Sequence, residues 1–180
     1  VVVITDDLED AQLKALYLMC DVLVAPSKAE GYGLPMAEAM LSGLPVITTG
    51  WSGQLDFCNT GNAWLVDYEF ERADTHFGIF LSAWAKPDVA ALAEKMRQAY
   101  ESPPETLQKM ASRGRSELLE THKWVDASQR YIDSVHKFID TRVSPVPRVA
   151  WLSTWNTKCG IALYSNHLVT HWDSDQVRVF

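Results

Sequence analysis

The sequence predicts an α/β protein, a Rossmann-like parallel sheet with helices on both faces. Short β-branched runs alternate with stretches of helical period over roughly the first fifty residues, the pattern of strand, helix, strand units joined by right-handed crossovers. The strands "DVLVAP" and "LPVITT" are nearly continuous apolar runs, as suits strands covered on both faces. With 180 residues, 47% of them hydrophobic and 22% charged, the chain can bury one good-sized core.

Val1 to Ile4 is an unbroken β-branched run and is expected to be the first strand. Leu13, Leu16, Tyr17 and Cys20 then recur at helical spacing, and "DVLVAP" from Asp21 is expected to be a second buried strand. "LPMAEAMLSG" reads as a helix, with Pro35 near its first turn and Gly43 at its end, and "LPVITT" from Leu44 as the third strand. The period then loosens. Residues 50–88 are rich in aromatics and glycine and read as loops that contain an insertion, with a short strand at Ala63 to Val66. Three helices are expected next. The first is Asp88 to Tyr100, with Val89, Leu92, Ala93, Met96 and Tyr100 on one inward stripe; the second is Pro104 to Glu120. The third is Val125 to Asp140, with Ile132, Val135 and Ile139 inward.

Pro145 and Pro147 cannot continue a helix, so residues 143–148 read as a linker. It separates a domain over residues 1–142 from a β-α-β piece over 149–180. That piece is too short for a domain, and the chain opens at Val1 within an expected strand. Both features lead us to expect part of a longer protein.

A net charge of −7 and a pI near 5.1 argue against wholesale binding to nucleic acid. Cys20, Cys58 and Cys159 lack any C-x-x-C spacing and read as buried free thiols of a reducing compartment. A cytoplasmic location is therefore expected. The longest apolar run, "ALYLMCDVLVAP", is broken by Asp21 and is too short to span a bilayer. "DSD" at Asp173 to Asp175 reads as a polar turn, and the pair His167 and His171 lacks a third ligand. No metal site is expected.

The chemistry concentrates in "AEGYGLPMAEAM", Ala29 to Met40. This loop follows a parallel strand and feeds a helix, the place where α/β sheets bind ligands. Gly31 and Gly33 permit close approach of backbone N–H groups, and the helix start near Leu34 to Met36 offers unpaired donors and partial positive charge, which suits a phosphate or diphosphate. Glu38 is expected in the first turn of the helix, where it could accept two ribose hydroxyls, and Glu30 on the other side of the loop. On the loop alone a structural reading stays open. Glycine-rich turns before helices are common, Glu in a first turn stabilises the macrodipole, and the third glycine of the dinucleotide fingerprint is missing.

The wider stretch "LYLMCDVLVAPSKAEGYGLPMAEAMLSGLPVITT" resembles the retaining glycosyltransferases of the GT-B fold, family 4 and its relatives. The shared features are Glu30, seven residues and Glu38; the aspartate, apolar strand and Pro-Ser at Asp21 to Ser27; and "EAM-x-x-G-x-PVI" at Glu38 to Ile47. The resemblance implies that residues 1–142 are the later portion of a C-terminal domain that binds a nucleoside-diphosphate sugar. It implies a catalytic role for Glu30 at the donor sugar, ribose binding by Glu38, and backbone donor contacts from Gly31, Tyr32, Gly33 and Leu34. It also implies retention at the anomeric carbon, no metal or other cofactor, and a glycan or lipid-linked acceptor of the kind used in polysaccharide assembly.

The family's basic pair and acceptor-side histidine belong to elements not matched in this chain, so the chain alone is expected to be inactive. Lys28 reads as a solvated loop residue, Gly53 as either a turn glycine or a donor-site residue, and Trp124 as either a core residue or part of a closing helix. "RVAWLSTWNTKCGIALYSNHL" looks like the opening of a second GT-B module on the acceptor side, with Gly160 at its loop-to-helix turn. Alternatively, the strand from Val149 adds to the first sheet. Such an apolar piece leaves a homodimer of the chain open, and peripheral membrane association would come from parts outside it. Rival functions are a sugar-nucleotide epimerase, a non-catalytic nucleotide-sugar-binding half and, less well matched to Glu30, a Rossmann dehydrogenase.

Overall fold

In the computed structural model, which describes residues 1–74, 82–140 and 167, three apolar runs pair into a parallel sheet. Its strands are β1 (Leu23–Ala25), β2 (Val46–Thr49) and β3 (Ala63–Val66), in the order β1-β2-β3. Val24 stands opposite Ile47, and Ile47 opposite Trp64. Every residue of β2 is buried, as expected of a central strand whose alternate side chains enter different cores.

Helix α1 (Asp10–Leu18) precedes β1, and α2 (Leu34–Leu41) links β1 to β2. On one face of the sheet, Met36, Ala37, Ala39 and Met40 of α2 pack with Val46, Ala63, Phe57, Cys58 and Leu118. Leu118 belongs to α4 (Pro104–Thr121). On the other face, Ile47 and Val66 pack with Ala99 of α3 (Val89–Glu101), flanked by Trp64 and Leu92. Helices therefore cover both faces, and the Rossmann-like α/β class read from the sequence holds.

Helix α4 docks by both shape and polarity. A Cβ at Gly114 would lie 2.9 Å from the sulfur of Met40, so glycine lets the helix approach α2 closely. Glu117 accepts hydrogen bonds from the buried Asn62 at 2.8 Å and from Asn59 at 3.1 Å. Asn62 also donates to the Phe57 carbonyl at 2.8 Å, which satisfies a buried amide.

Several expectations change. Val1 to Ile4 is not a strand; these residues are 50–125% exposed, because no ladder partner takes up their backbone groups. β1 is only half-buried, with Val24 38% exposed. Cys20 is exposed beyond the end of α1 rather than buried, while Cys58 is buried as expected.

The loops after β3 contain a hairpin that the sequence reading missed, β4 (Tyr68–Arg72) paired antiparallel with β5 (Ala83–Pro87). α3 also presents a different face. Its start is fixed by Asp88, whose carboxylate accepts the Ala91 N–H at 2.6 Å. That phase turns Ala91, Leu92 and Ala99 toward the sheet and leaves Val89, Met96 and Tyr100 exposed. Small residues won over large ones here because they let the helix axis come close to β2 and β3.

The chain divides into two units, Val1–Leu119 and Glu120–Phe180. Within the second, α5 (Trp124–Asp140) begins one residue before the expected start and turns Trp124, Ser128, Ile132 and Val135 inward. The Trp124 ring stacks on His167 with centroids 4.6 Å apart. The Ile139 side chain, the linker, the β-α-β piece after Val149, Cys159, Gly160, His171 and Asp173 to Asp175 lie outside the described residues. Among the described residues no helix is long and apolar enough to cross a membrane.

Burial pushes the Cys58 thiol up to about 12, with the Glu117 charge adding to it. Folded protein at pH 8 should therefore leave Cys58 unalkylated by iodoacetamide while the exposed Cys20 reacts, and denaturant should abolish the difference. Peptide mapping by mass spectrometry reads both sites.

Candidate functional site

Because β1 and β2 run parallel, the segments that follow them, residues 26–33 and 50–56, emerge at the same end of the sheet. Thr48 Oγ1 donates to the Ala25 carbonyl at 3.0 Å and ties the strands together where these segments leave. Beyond that point the two meet backbone to backbone. The Gly53 N–H donates to the Glu30 carbonyl at 3.0 Å. Ser52 Oγ donates to the same carbonyl at 2.6 Å and accepts the Glu30 N–H at 3.1 Å.

Three glycines have three different reasons. A Cβ at Gly53 would lie 2.1 Å from the Gly31 carbonyl oxygen, so no side chain fits. Gly33 sits at φ 95° as the N-cap of α2, with its Cβ position 2.9 Å from Cβ of Gln54. Gly31, by contrast, is exposed and has nothing within 4 Å of its Cβ position. The fold does not require glycine there.

Ser52 adopts φ 84°, an unfavourable backbone for a residue with a side chain. Its bonds to Glu30 hold it there. The turn continues as a 3-10 helix, Gly53–Asp56, whose fully buried Gln54 donates to the Thr49 carbonyl at 3.0 Å.

Glu30 is half-buried, and its carboxylate accepts a hydrogen bond from Ser27 at 2.7 Å. Leu34 opens α2 with Pro35 next, and no side chain caps this terminus. Its first N–H groups lack intrahelical partners, and the macrodipole adds partial positive charge. A half-buried carboxylate and an uncapped helix start thus sit on one short loop, at the binding end of a parallel sheet.

Residues 1–102, more than half of the chain, match the family described as Glycosyl transferases group 1. The chain belongs to the group 1 glycosyltransferases. No curated protein matches it at a significant level. Membership makes the chain a glycosyltransferase of the GT-B class, whose substrates in general are a sugar donor and an acceptor.

In this glycosyltransferase Glu30, Gly31, Tyr32, Gly33 and Leu34 line one continuous turn, as their order demands. The Tyr32 side chain packs against Phe57 with ring centroids 5.0 Å apart, and burial raises its hydroxyl pKa, with Asp56 and Cys58 adding to the shift. Glu38 is not in the first turn. The helix starts at Leu34, so Glu38 opens the second turn, exposed, and accepts a hydrogen bond from Tyr17 of α1 at 3.3 Å.

Lys28 is an exposed loop residue, as expected, but it also has partners. It pairs with Glu71 of β4 and lies 4.5 Å over the Trp84 ring of β5. Sequence reasoning also missed Ser27 and Ser52. Ser27, three residues before Glu30, was open to recognition as a local side-chain partner; Ser52 is 22 residues away and carried no local signal. Among the described residues no group of three or more His, Cys, Asp and Glu side chains could hold a metal ion.

Gly53→Ala should destabilise the fold by about 1–3 kcal/mol, the usual cost of overpacking, whereas Gly31→Ala should stay within about 0.5 kcal/mol of the parent. Urea unfolding followed by tryptophan fluorescence compares them. Burial first, then the Glu38 charge and hydrogen bond, pushes the Tyr17 hydroxyl up to about 12. Because this pKa is raised, the associated stabilisation is complete below about pH 10 and is lost as pH rises towards about 12. Tyr17→Phe should remove the latest step from an ultraviolet titration of the tyrosines.

Proposed function

We propose that this chain binds a nucleoside-diphosphate sugar at the loop carrying Glu30 and that, within the full-length protein, it transfers the sugar to a glycan or lipid-linked acceptor with retention. The supporting observation is the contrast among the glycines. Packing and backbone conformation account for Gly53 and Gly33, while Gly31, which lies in the chain between Glu30 and the start of α2, is exposed with open space at its Cβ position.

On this reading the diphosphate lies against the N–H groups of the turn from Gly31 to Leu34, where a Cβ at Gly31 would intrude. Glu30 is the catalytic carboxylate at the donor sugar. Its two oxygens offer about four acceptor positions, and with Ser27 on one of them the others remain for sugar hydroxyls. Glu38, exposed and next along α2, accepts ribose hydroxyls in competition with Tyr17.

During transfer the bond from the anomeric carbon to the diphosphate oxygen breaks, and its electron pair leaves with the phosphate. The acceptor hydroxyl forms the new bond to the same carbon and passes its proton to the departing phosphate oxygen. Donors fixed in advance at that oxygen provide the largest stabilisation, and an uncapped helix start provides them without a metal in the reading proposed here. This chain then binds donor without turning it over, residues 149–180 begin a second acceptor-side module, and the setting is polysaccharide assembly in the cytoplasm.

Calorimetric titration of the chain with a panel of uridine-, guanosine- and adenosine-diphosphate sugars tests the reading. One nucleotide class should bind saturably, and Gly31→Ala and Glu30→Ala should each weaken it by about tenfold or more without lowering stability. Equal binding by the parent and both variants, or no binding by any donor, would sink it.

A further inference from the structure

The loop that carries Glu30 has no regular structure of its own between Pro26 and Gly33. Its end is anchored by Tyr32 against Phe57, and its earlier part is held at two points. One is the clasp of Ser52 and Gly53 on the Glu30 backbone. The other lies two residues earlier, where the β4–β5 hairpin grips Lys28 in three ways. The Ala85 N–H donates to the Lys28 carbonyl at 3.0 Å. The Lys28 ammonium pairs with Glu71, and it lies over the face of Trp84.

The hairpin is itself cross-linked around that grip. Glu71 and Trp84 face each other across the strands, and the Trp84 indole N–H donates to Glu71 at 2.8 Å. Lys86 adds a second, looser cation 3.7 Å from the other carboxylate oxygen of Glu71. The hydrogen bonds from Lys28 and Trp84, together with the two lysine charges, hold the Glu71 carboxyl below its usual range, so the cluster is assembled at neutral pH.

We propose that the β4–β5 hairpin braces the loop that carries Glu30, and that Lys28 is the positioning residue through which it acts. Without the hairpin, the part of the loop before Glu30 would be free to swing about the Ser52 clasp; the attachment at Lys28 removes that freedom. The Ser27 hydroxyl that holds the Glu30 carboxylate sits next to Lys28 in the chain, so releasing Lys28 also releases the group that orients Glu30. The brace rests on these contacts alone, and its bearing on donor binding rests on the reading of Glu30 given above.

Lys28 and Glu71 are both partly exposed, so the ion pair by itself contributes little. The cation over Trp84 adds a comparable amount. Losing both corresponds to a roughly tenfold change in local opening.

Hydrogen–deuterium exchange of the whole chain reads this without any ligand. Lys28→Ala should speed exchange at residues 29–33 by about tenfold while β2 stays as protected as in the parent. Lys28→Arg, which keeps a charge and a planar group over Trp84, should restore protection, and Glu71→Gln should reproduce part of the loss. Unchanged exchange at residues 29–33 in Lys28→Ala would overturn the brace. So would faster exchange spread equally over β2 and not rescued by arginine.

A second arm titrates the same variants with the diphosphate sugars of the donor panel. Weaker binding by Lys28→Ala than by Lys28→Arg joins the brace to donor binding. Altered exchange with equal affinity keeps the brace and refutes its link to the donor. If the parent binds no donor at all, the reading of Glu30 fails while the exchange result still decides the brace.

Discussion

The candidate site depends on one close approach, the seating of the Gly53 backbone on that of Gly31 and Tyr32. A loop at the end of a sheet carries polar N–H and C=O groups that must find partners if they are covered. Here the Glu30 N–H and carbonyl find theirs in Ser52 and Gly53, a solution that requires two main chains in contact and hence no Cβ at residue 53. The strained backbone of Ser52, the capping role of Gly33 and the burial of Gln54 all follow from bringing the turn after β2 up against the turn after β1.

The rigidity of the helix start has a different source. α2 contributes four buried residues to the larger core, Met36, Ala37, Ala39 and Met40, and α4 presses on Met40 through Gly114. The N–H groups at its beginning are thus fixed by apolar packing several ångströms away rather than by any capping side chain. α1 is the opposite case. None of its residues is buried; Tyr17 packs against the edge of the larger core, and its hydroxyl donates to the exposed Glu38. The two carboxylates of the motif therefore live in unlike settings, one clasped in a loop and the other loosely shared with a neighbouring helix.

Much of this was legible because the signals were local. The run from Leu34 to Leu41, bounded by Gly33 and Gly43, reads as a helix from its proline and its glycines, and β3 falls on Ala63–Val66 as its apolar residues foretell. The loop with Glu30 was found for the same reason. What stayed hidden came from contacts distant in sequence. Ser52 meets Glu30 across 22 positions and Lys28 meets Glu71 across 43. The hairpin was missed because "AWAKP" is a poor strand by propensity, with Lys and Pro at its end. The α3 stripe went wrong because hydrophobicity favoured Val89, Met96 and Tyr100, while the distance to the sheet favoured alanine. Glu38 was placed one turn too early because the helix begins at Leu34, the first of the expected start positions, which makes Glu38 its fifth residue.

The hairpin leaves and rejoins the domain at nearly one point. It departs after β3 through Asp67, and the Asp88 N–H that precedes α3 returns to the Asp67 carbonyl at 2.8 Å. A segment closed at its root in this way acts as an appendix to the host fold: the sheet and α3 are joined as if by a short turn, whatever lies between. Loop closure grows costly only slowly with length, so the segment between Asp67 and Asp88 can be lengthened, shortened or recomposed with little effect on the cores. Variation in the appendix therefore reaches the loop that carries Glu30 through its hold on Lys28, while the cores stay as they are.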